Sequence, residues 1–314
     1  MENQIEEYME DMECSPKTYP FHHNEYKVRS NLEPDKVWDR LINFLARRYI
    51  DDKNWVFRGH RRETEELKST LDRQLNKRIN SYIGQQTAED YLLNQFKRAA
   101  HHFLNCSMVP DKDDRLEWLS LMRHYGTPTR LLDFTHSPYI ACFFALEESA
   151  DETNENSRND TKRAIWAINT EWLIEISFPY INALLNQNNV TKNDLRDADF
   201  ISDKFDDIFI KNTTPFVLPI EPPRANARLL IQQGLFLCPG AANKGFEENL
   251  LFDGDPNRMR DNIHKIIIEN HIRDEALTEL DRMNINQATL YPDLQGFATS
   301  LALKLEWMPL SWFS

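Results

Sequence analysis

The chain has 314 residues, a formal net charge of -13 and 41% hydrophobic residues, enough apolar material for one large core or two smaller ones. So acidic a composition excludes nucleic-acid binding through a general electrostatic field, although a local basic face at 58–62 remains available for one anionic ligand. The acidic first residues lack the apolar stretch of a secretory signal, the longest apolar run (139–146) is far too short to span a membrane, and the 4 cysteines have no metal-ligand spacing, so we expect a cytoplasmic protein with reduced thiols and no bound metal.

Residues 1–31 are polar and acidic and read as an arm ahead of a single domain over 32–314. Residues 34–49 place Val37, Leu41, Phe44 and Leu45 at helical spacing. Residues 54–58 read as a short strand, with Trp55 and Phe57 on one side and Val56 and Arg58 on the other. Thr87 opens a capped helix running to about Leu104, with Leu92, Phe96, Ala99 and Phe103 as its buried stripe. A helix over 116–124 ends at a turn marked by Gly126 and Pro128. Beyond it, Arg130 and Asp133 flank an apolar pair, and Ser137 with Pro138 has the pattern of a helix N-cap and first turn. Arg130 and Asp133 either satisfy each other or, with Thr135, converge on a ligand before that helix.

Residues 151–162 carry no large apolar side chain and read as an exposed loop. Residues 164–168 form a strand candidate, and 170–185 are helical or irregular. The Asn- and Asp-rich stretch 186–214 is a candidate insertion covering the site. Residues 228–233 read as a strand, with Gly234 permitting a bulge before 235–238. Another strand follows at 263–268, then helices at 272–283 and 292–305, the last burying Leu294, Phe297, Leu301 and Leu305. The order is α+β, without the regular βαβ alternation or Gly-rich phosphate loop of a doubly wound nucleotide fold.

Four stretches in this order carry a family resemblance: Phe57-Arg58-Gly59, the block 124–146, Gln232-Gln233-Gly234-Leu235-Phe236 within 224–236, and 289–296. Together they resemble the FRG domain, spanning roughly Trp38 to Leu305. The arrangement is also similar to the NAD-using ADP-ribosyltransferase plan, which implies a small split β-sheet core with a helical N-terminal part and inserted helices. That resemblance matches Arg58 to the first-strand residue contacting the dinucleotide. It matches residues 133–138 and the following helix to the support of the nicotinamide pocket, and 228–236 to the strand presenting a glutamate. Here the glutamate position holds Gln232 or Gln233, which offer neither negative charge nor a base. Asp133 is then the substitute acid, with Glu247 and Glu248 as alternatives.

What the resemblance implies is a catalytic set of Arg58, Asp133, Gln232 and Gln233. NAD would be a substrate, held by Arg58, Tyr125, Arg130, Phe134, Thr135 and Tyr139. Cleaving the nicotinamide–ribose bond builds positive charge on the sugar, so the site needs guanidinium groups for the pyrophosphate, an acid for the sugar and an aromatic wall for the ring. The implied function is an NAD-dependent ADP-ribosyltransferase, a toxin or anti-phage effector modifying protein or nucleic acid, with a neutralising antitoxin protein as a partner. An NAD hydrolase and a non-catalytic module binding a nucleotide or nucleic-acid end stand beside it. The enzymatic readings require Arg58, Arg130 and Asp133 to meet around one hollow.

Overall fold

Strand periodicity sorts the apolar residues onto two faces of one sheet. The computed structural model describes residues 12–28, 36–49, 51–76, 84–105, 108–148, 162–186 and 190–308. In chain order the first half holds β1 (Met12–Lys17), β2 (His23–Val28), α1 (Val37–Tyr49), β3 (Trp55–His60), α2 (Thr70–Asn76), α3 (Gln85–Ala100), α4 (Arg115–His124), β4 (Leu132–Thr135) and α5 (Pro138–Leu146). There follow β5 (Arg163–Asn169), α6 (Thr170–Leu185), α7 (Ala198–Phe205), β6 (Val217–Ile220), α8 (Ala227–Ile231) and β7 (Gly234–Pro239). The remainder is α9 (Phe246–Leu250), α10 (Pro256–Asn262), β8 (Ile263–Ile268), α11 (Arg273–Arg282), α12 (Gln287–Leu290) and α13 (Leu294–Trp307).

The fold is mixed α/β. Its sheet has 8 strands in the order β1-β2-β8-β5-β3-β4-β7-β6. Only β2 and β8 run parallel; the other neighbours are antiparallel. Val56, Trp166, Leu132, Phe134 and Leu235 share one core with α6 and α9. On the opposite face, Trp55, Phe57, Ile165 and Ile266 pack against α1, α5 and α11. Phe236, Cys238, Leu218 and Ile220 pack there against α3, α4 and α7. The expected small split sheet is therefore one larger, continuous sheet, yet it narrows sharply in the middle. Between β3 and β4 the register holds only Phe57 opposite Thr135.

Several expectations hold, among them α1, β3, the Ser137 cap of α5, β5 and β8. Others shift for identifiable reasons. Part of the polar arm, residues 12–28, supplies β1 and β2, an edge hairpin that the polar composition concealed. Helix α3 is capped at Gly84 and buries Glu89, Leu93 and Ala100, while Phe103 is exposed. The stripe is rotated from the expected one because Glu89 turns inward to meet Arg130. Residues 228–233 are not a strand: Asn226 Oδ1 accepts from Leu229 N at 2.9 Å and starts α8 instead. Helix α13 forms as expected, but Leu294, Phe297, Leu301 and Leu305 face outward, and Gly296, Ser300 and Trp307 face inward. Gly296 sets that orientation by lying against Tyr291, where no Cβ would fit. The stretch suspected of covering the site instead buries Leu195, Ile201, Phe205, Ile208 and Phe209 in the core beside β6 and β7. Of the expected exposed loop, residues 151–161 lie outside the described residues.

Candidate functional site

Glycine makes the cleft. A Cβ on Gly59 would sit 2.5 Å from Ala145 N and closer still to Ala141 O, so only glycine lets α5 lie directly on β3. One residue earlier, Arg58 points to the opposite face by alternation. Where pairing between β3 and β4 stops, its Nη1 donates to Asp133 O at 2.7 Å and lies 3.9 Å from Asp133 Oδ2. Its Nε donates to His60 Nε2 at 3.2 Å, and His60 Nδ1 donates in turn to Glu65 O at 3.2 Å. That chain requires a neutral imidazole. Burial, reinforced by the charge of Arg58, pulls His60 down to about 3. Burial also lowers Arg58 to about 10, which leaves it charged at neutral pH.

The Asp133 carboxylate is gripped from α4. Arg123 Nε donates to Oδ2 at 2.8 Å, and Arg123 Nη2 binds the same oxygen. Burial alone would raise the Asp133 carboxyl, but the charge and hydrogen bonds of Arg123, then Arg58, outweigh it and hold it below the usual carboxylate range. Arg228, on α8, shares the cleft and lays its guanidinium over the Tyr291 ring at 4.3 Å. It makes no ion pair among the described residues. Glu147, at the C-terminal end of α5, forms another part of the wall. Burial, with Glu148 adding to it and Arg228 opposing, pushes its carboxyl up to about 8. Together these groups line a cleft of about 320 Å³.

The residues expected at the site are thus partly assembled. Arg58 and Asp133 meet. Arg130 does not reach them: at 2% exposure it is sealed in the core. Its Nε donates to Glu89 Oε2 at 2.6 Å, its Nη1 to Phe209 O at 3.1 Å, and its Nη2 to Gln86. Its place beside Asp133 is taken by Arg123. Phe134 is also buried in the core, and Tyr139 packs half-buried against α5's own core, so neither presents an open ring. Tyr125 is exposed but borders a separate apolar hollow with Phe96 and Phe103. Thr135 Oγ1 donates to Gln232 O at 2.7 Å and accepts from Ser137 N, tying α8 to the start of α5.

Gln232 lines the cleft, with its amide donating to Leu290 O at 3.0 Å. Gln233 is exposed in the left-handed region, at φ 47°, and its carbonyl accepts from His136 N. Both glutamines precede β7 rather than sit on a strand. Glu247 and Glu248 are occupied as acceptors from Leu67 N and Gly245 N. Sequence reading missed Arg123, Arg228, Glu147 and Tyr291. Glu147, immediately after an unbroken apolar helix, and Tyr291, inside a recognised stretch, carried a usable signal.

Among the described residues, no group of histidine, cysteine or acidic side chains is arranged to hold a metal ion, and no helix is long and apolar enough to cross a membrane. Residues 53–154 match the FRG domain, so the chain carries an FRG domain over that span. Both Arg58 and Asp133, with Gly59, Arg123 and Glu147, fall inside it; Arg228, Gln232 and Tyr291 fall outside. No curated protein and no solved structure matches the chain.

Proposed function

We propose that the cleft binds NAD as a substrate and transfers its ADP-ribose to a macromolecular acceptor, releasing nicotinamide and one proton. The supporting observation is charge imbalance. Arg58, Arg123 and Arg228 border one cleft, and the single carboxylate tied into them, Asp133, leaves Arg228 uncommitted. An array of this kind suits a pyrophosphate, which accepts from several guanidinium groups at once. Because Asp133 is neutralised by two arginines, its role in this reading is to position them. Glu147 is the better base: held at about 8 it is mostly protonated at neutral pH, and its ionised fraction is basic enough to take an acceptor's proton. Tyr291, braced by Arg228, offers the aromatic wall.

In this reading the protein is a cytoplasmic toxin or anti-phage effector, its acceptor is a protein or nucleic acid, and an antitoxin protein restrains it. A second reading, a nucleotide-binding module without turnover, draws support from the ion-paired state of Asp133 and from the commitment of Gln232 to Leu290. Incubation of the protein with adenylate-labelled NAD and cell extract separates the two. Label on protein, DNA or RNA with stoichiometric nicotinamide, lost in Glu147→Gln, is expected. NAD that binds yet yields neither transferred label nor free nicotinamide leaves the binding module; nicotinamide released without transfer makes the protein a hydrolase.

A further inference from the structure

Beside Arg58, where Trp166 and Lys265 share its face of the sheet, lies a larger groove of about 880 Å³. It shares Arg58, Gly59, Phe144 and Glu148 with the cleft but has its own floor and charges. Five cations border it, and three are spoken for: Arg58 binds Asp133, Arg61 binds Glu65 and Glu148, and Lys68 binds Glu66. Lys265 and Arg73 make no ion pair among the described residues. Lys265, on β8, lies over the Trp166 ring at 5.2 Å, and Arg73, on α2, only donates to the Lys68 carbonyl. Burial lowers both, so an anion beside either would favour its charged form. Four glutamates share this rim: Glu65 and Glu148 are held by Arg61 and Glu66 by Lys68, while Glu63 acts on Lys265 and Glu65 on Arg73 as well. Tyr19, 80% exposed, stands at the mouth.

We propose that this groove is a second binding site, for a nucleoside 5′-phosphate, with the phosphate on Lys265 and Arg73 and the base on Tyr19. Two uncommitted cations from separate elements suit a dianion, and an exposed ring at the rim suits stacking of a base. The occupant is a free nucleotide rather than a nucleic-acid end, because a net charge of -13 repels an extended polyanion. The site is independent of whether the neighbouring cleft turns over NAD.

Calorimetry on the full chain with adenosine 5′-monophosphate, adenosine, inorganic phosphate and a 5′-phosphorylated oligonucleotide tests it. The monophosphate should bind more tightly than adenosine or phosphate. Lys265→Ala and Arg73→Ala should each weaken it by about 10–100-fold, the loss of one charge-assisted hydrogen bond. Tyr19→Ala should weaken the nucleotide but not inorganic phosphate. Arg228→Ala, which alters only the cleft, should leave monophosphate binding unchanged. The proposal is overturned if none of the four ligands binds, or if the oligonucleotide binds more tightly than the monophosphate. It is equally overturned if Arg228→Ala abolishes binding while folded Lys265→Ala and Arg73→Ala proteins retain it.

Discussion

Two arginine–carboxylate clusters lie within a few residues of each other along the chain, and they do opposite things. Around Arg130, every donor has an acceptor: Glu89 takes both Nε and the backbone N–H, Phe209 O takes Nη1, and Gln86 takes Nη2. Glu89 is wholly buried, charges balance, and nothing is left for a ligand. Around Asp133, one carboxylate serves Arg123 and Arg58 while Arg228 stands by without one. That cluster borders a cleft. The lesson is that an arginine's partner count, rather than its neighbours in sequence, separates a structural ion pair from a binding group. The largest effect should therefore come from the sealed cluster. Glu89→Ala strands a buried guanidinium and should cost about 3–5 kcal/mol in a urea denaturation, the penalty of breaking a buried pair. A loss below about 1 kcal/mol, the range of an exposed pair, would erase the contrast.

The second test uses pH, and it reads the open cluster. Glu147 has an ordinary value of 4.5 and is held at about 8 in the fold. Between these values the unfolded chain has released a proton that the folded chain keeps, so this group makes stability fall as pH rises through that window. The buried histidines act with the opposite sign. His60 and His264 are lowered to about 3 and His23 to about 4, all by burial first. They bind protons in the unfolded chain from about 6.5 downward, so their contribution is lost as pH falls below that value. Denaturation of the wild type and Glu147→Gln at a series of pH values isolates the carboxyl. The variant should gain stability relative to the wild type progressively from pH 5 to pH 8, whereas below pH 6 both decline through the histidines. Parallel curves across that range would mean that Glu147 ionises like a surface acid and is no candidate base.

Local chemistry made much of the fold legible. Ser137 before Pro138 set the start of α5, and alternation at Trp55 to Arg58 assigned the faces of β3 correctly. What stayed hidden depended on contacts distant in sequence. Nothing near Glu89 announces that it turns inward, because its partner is 41 residues away, and so the stripe of α3 was misjudged. Nothing near Leu294 says that Gly296 must lie against Tyr291, and so α13 was turned the wrong way round. At the site, Arg58 and Asp133 were readable because strand and motif both mark them. Arg130 was the reasonable second guanidinium from its spacing to Asp133, yet it is held in the core by Glu89 and Gln86 of α3. Arg123, ten residues before Asp133, takes the position instead. Arg228 lay in a stretch read as a strand, where an Asn226 cap and one short helix change the direction of every side chain.

Arg228 also gives the smallest expected change in stability and the sharpest form of the comparison. It is half-buried, makes no ion pair among the described residues, and contributes a cation–π contact with Tyr291. Its removal leaves no buried charge unpaired, so Arg228→Ala should fold within about 0.5 kcal/mol of the wild type. Glu147 should rise further, because Arg228 is the cation that opposes its burial. NAD consumption, by contrast, should drop by about 10²–10³-fold, the usual result of deleting one donor to developing or bound charge. Arg228→Lys keeps the charge but not the planar fork, and should recover only part of that loss. If Arg228→Ala unfolds the protein as Glu89→Ala does, the two clusters are both structural. If it keeps fold and NAD consumption alike, the cleft's surplus charge has no ligand to serve.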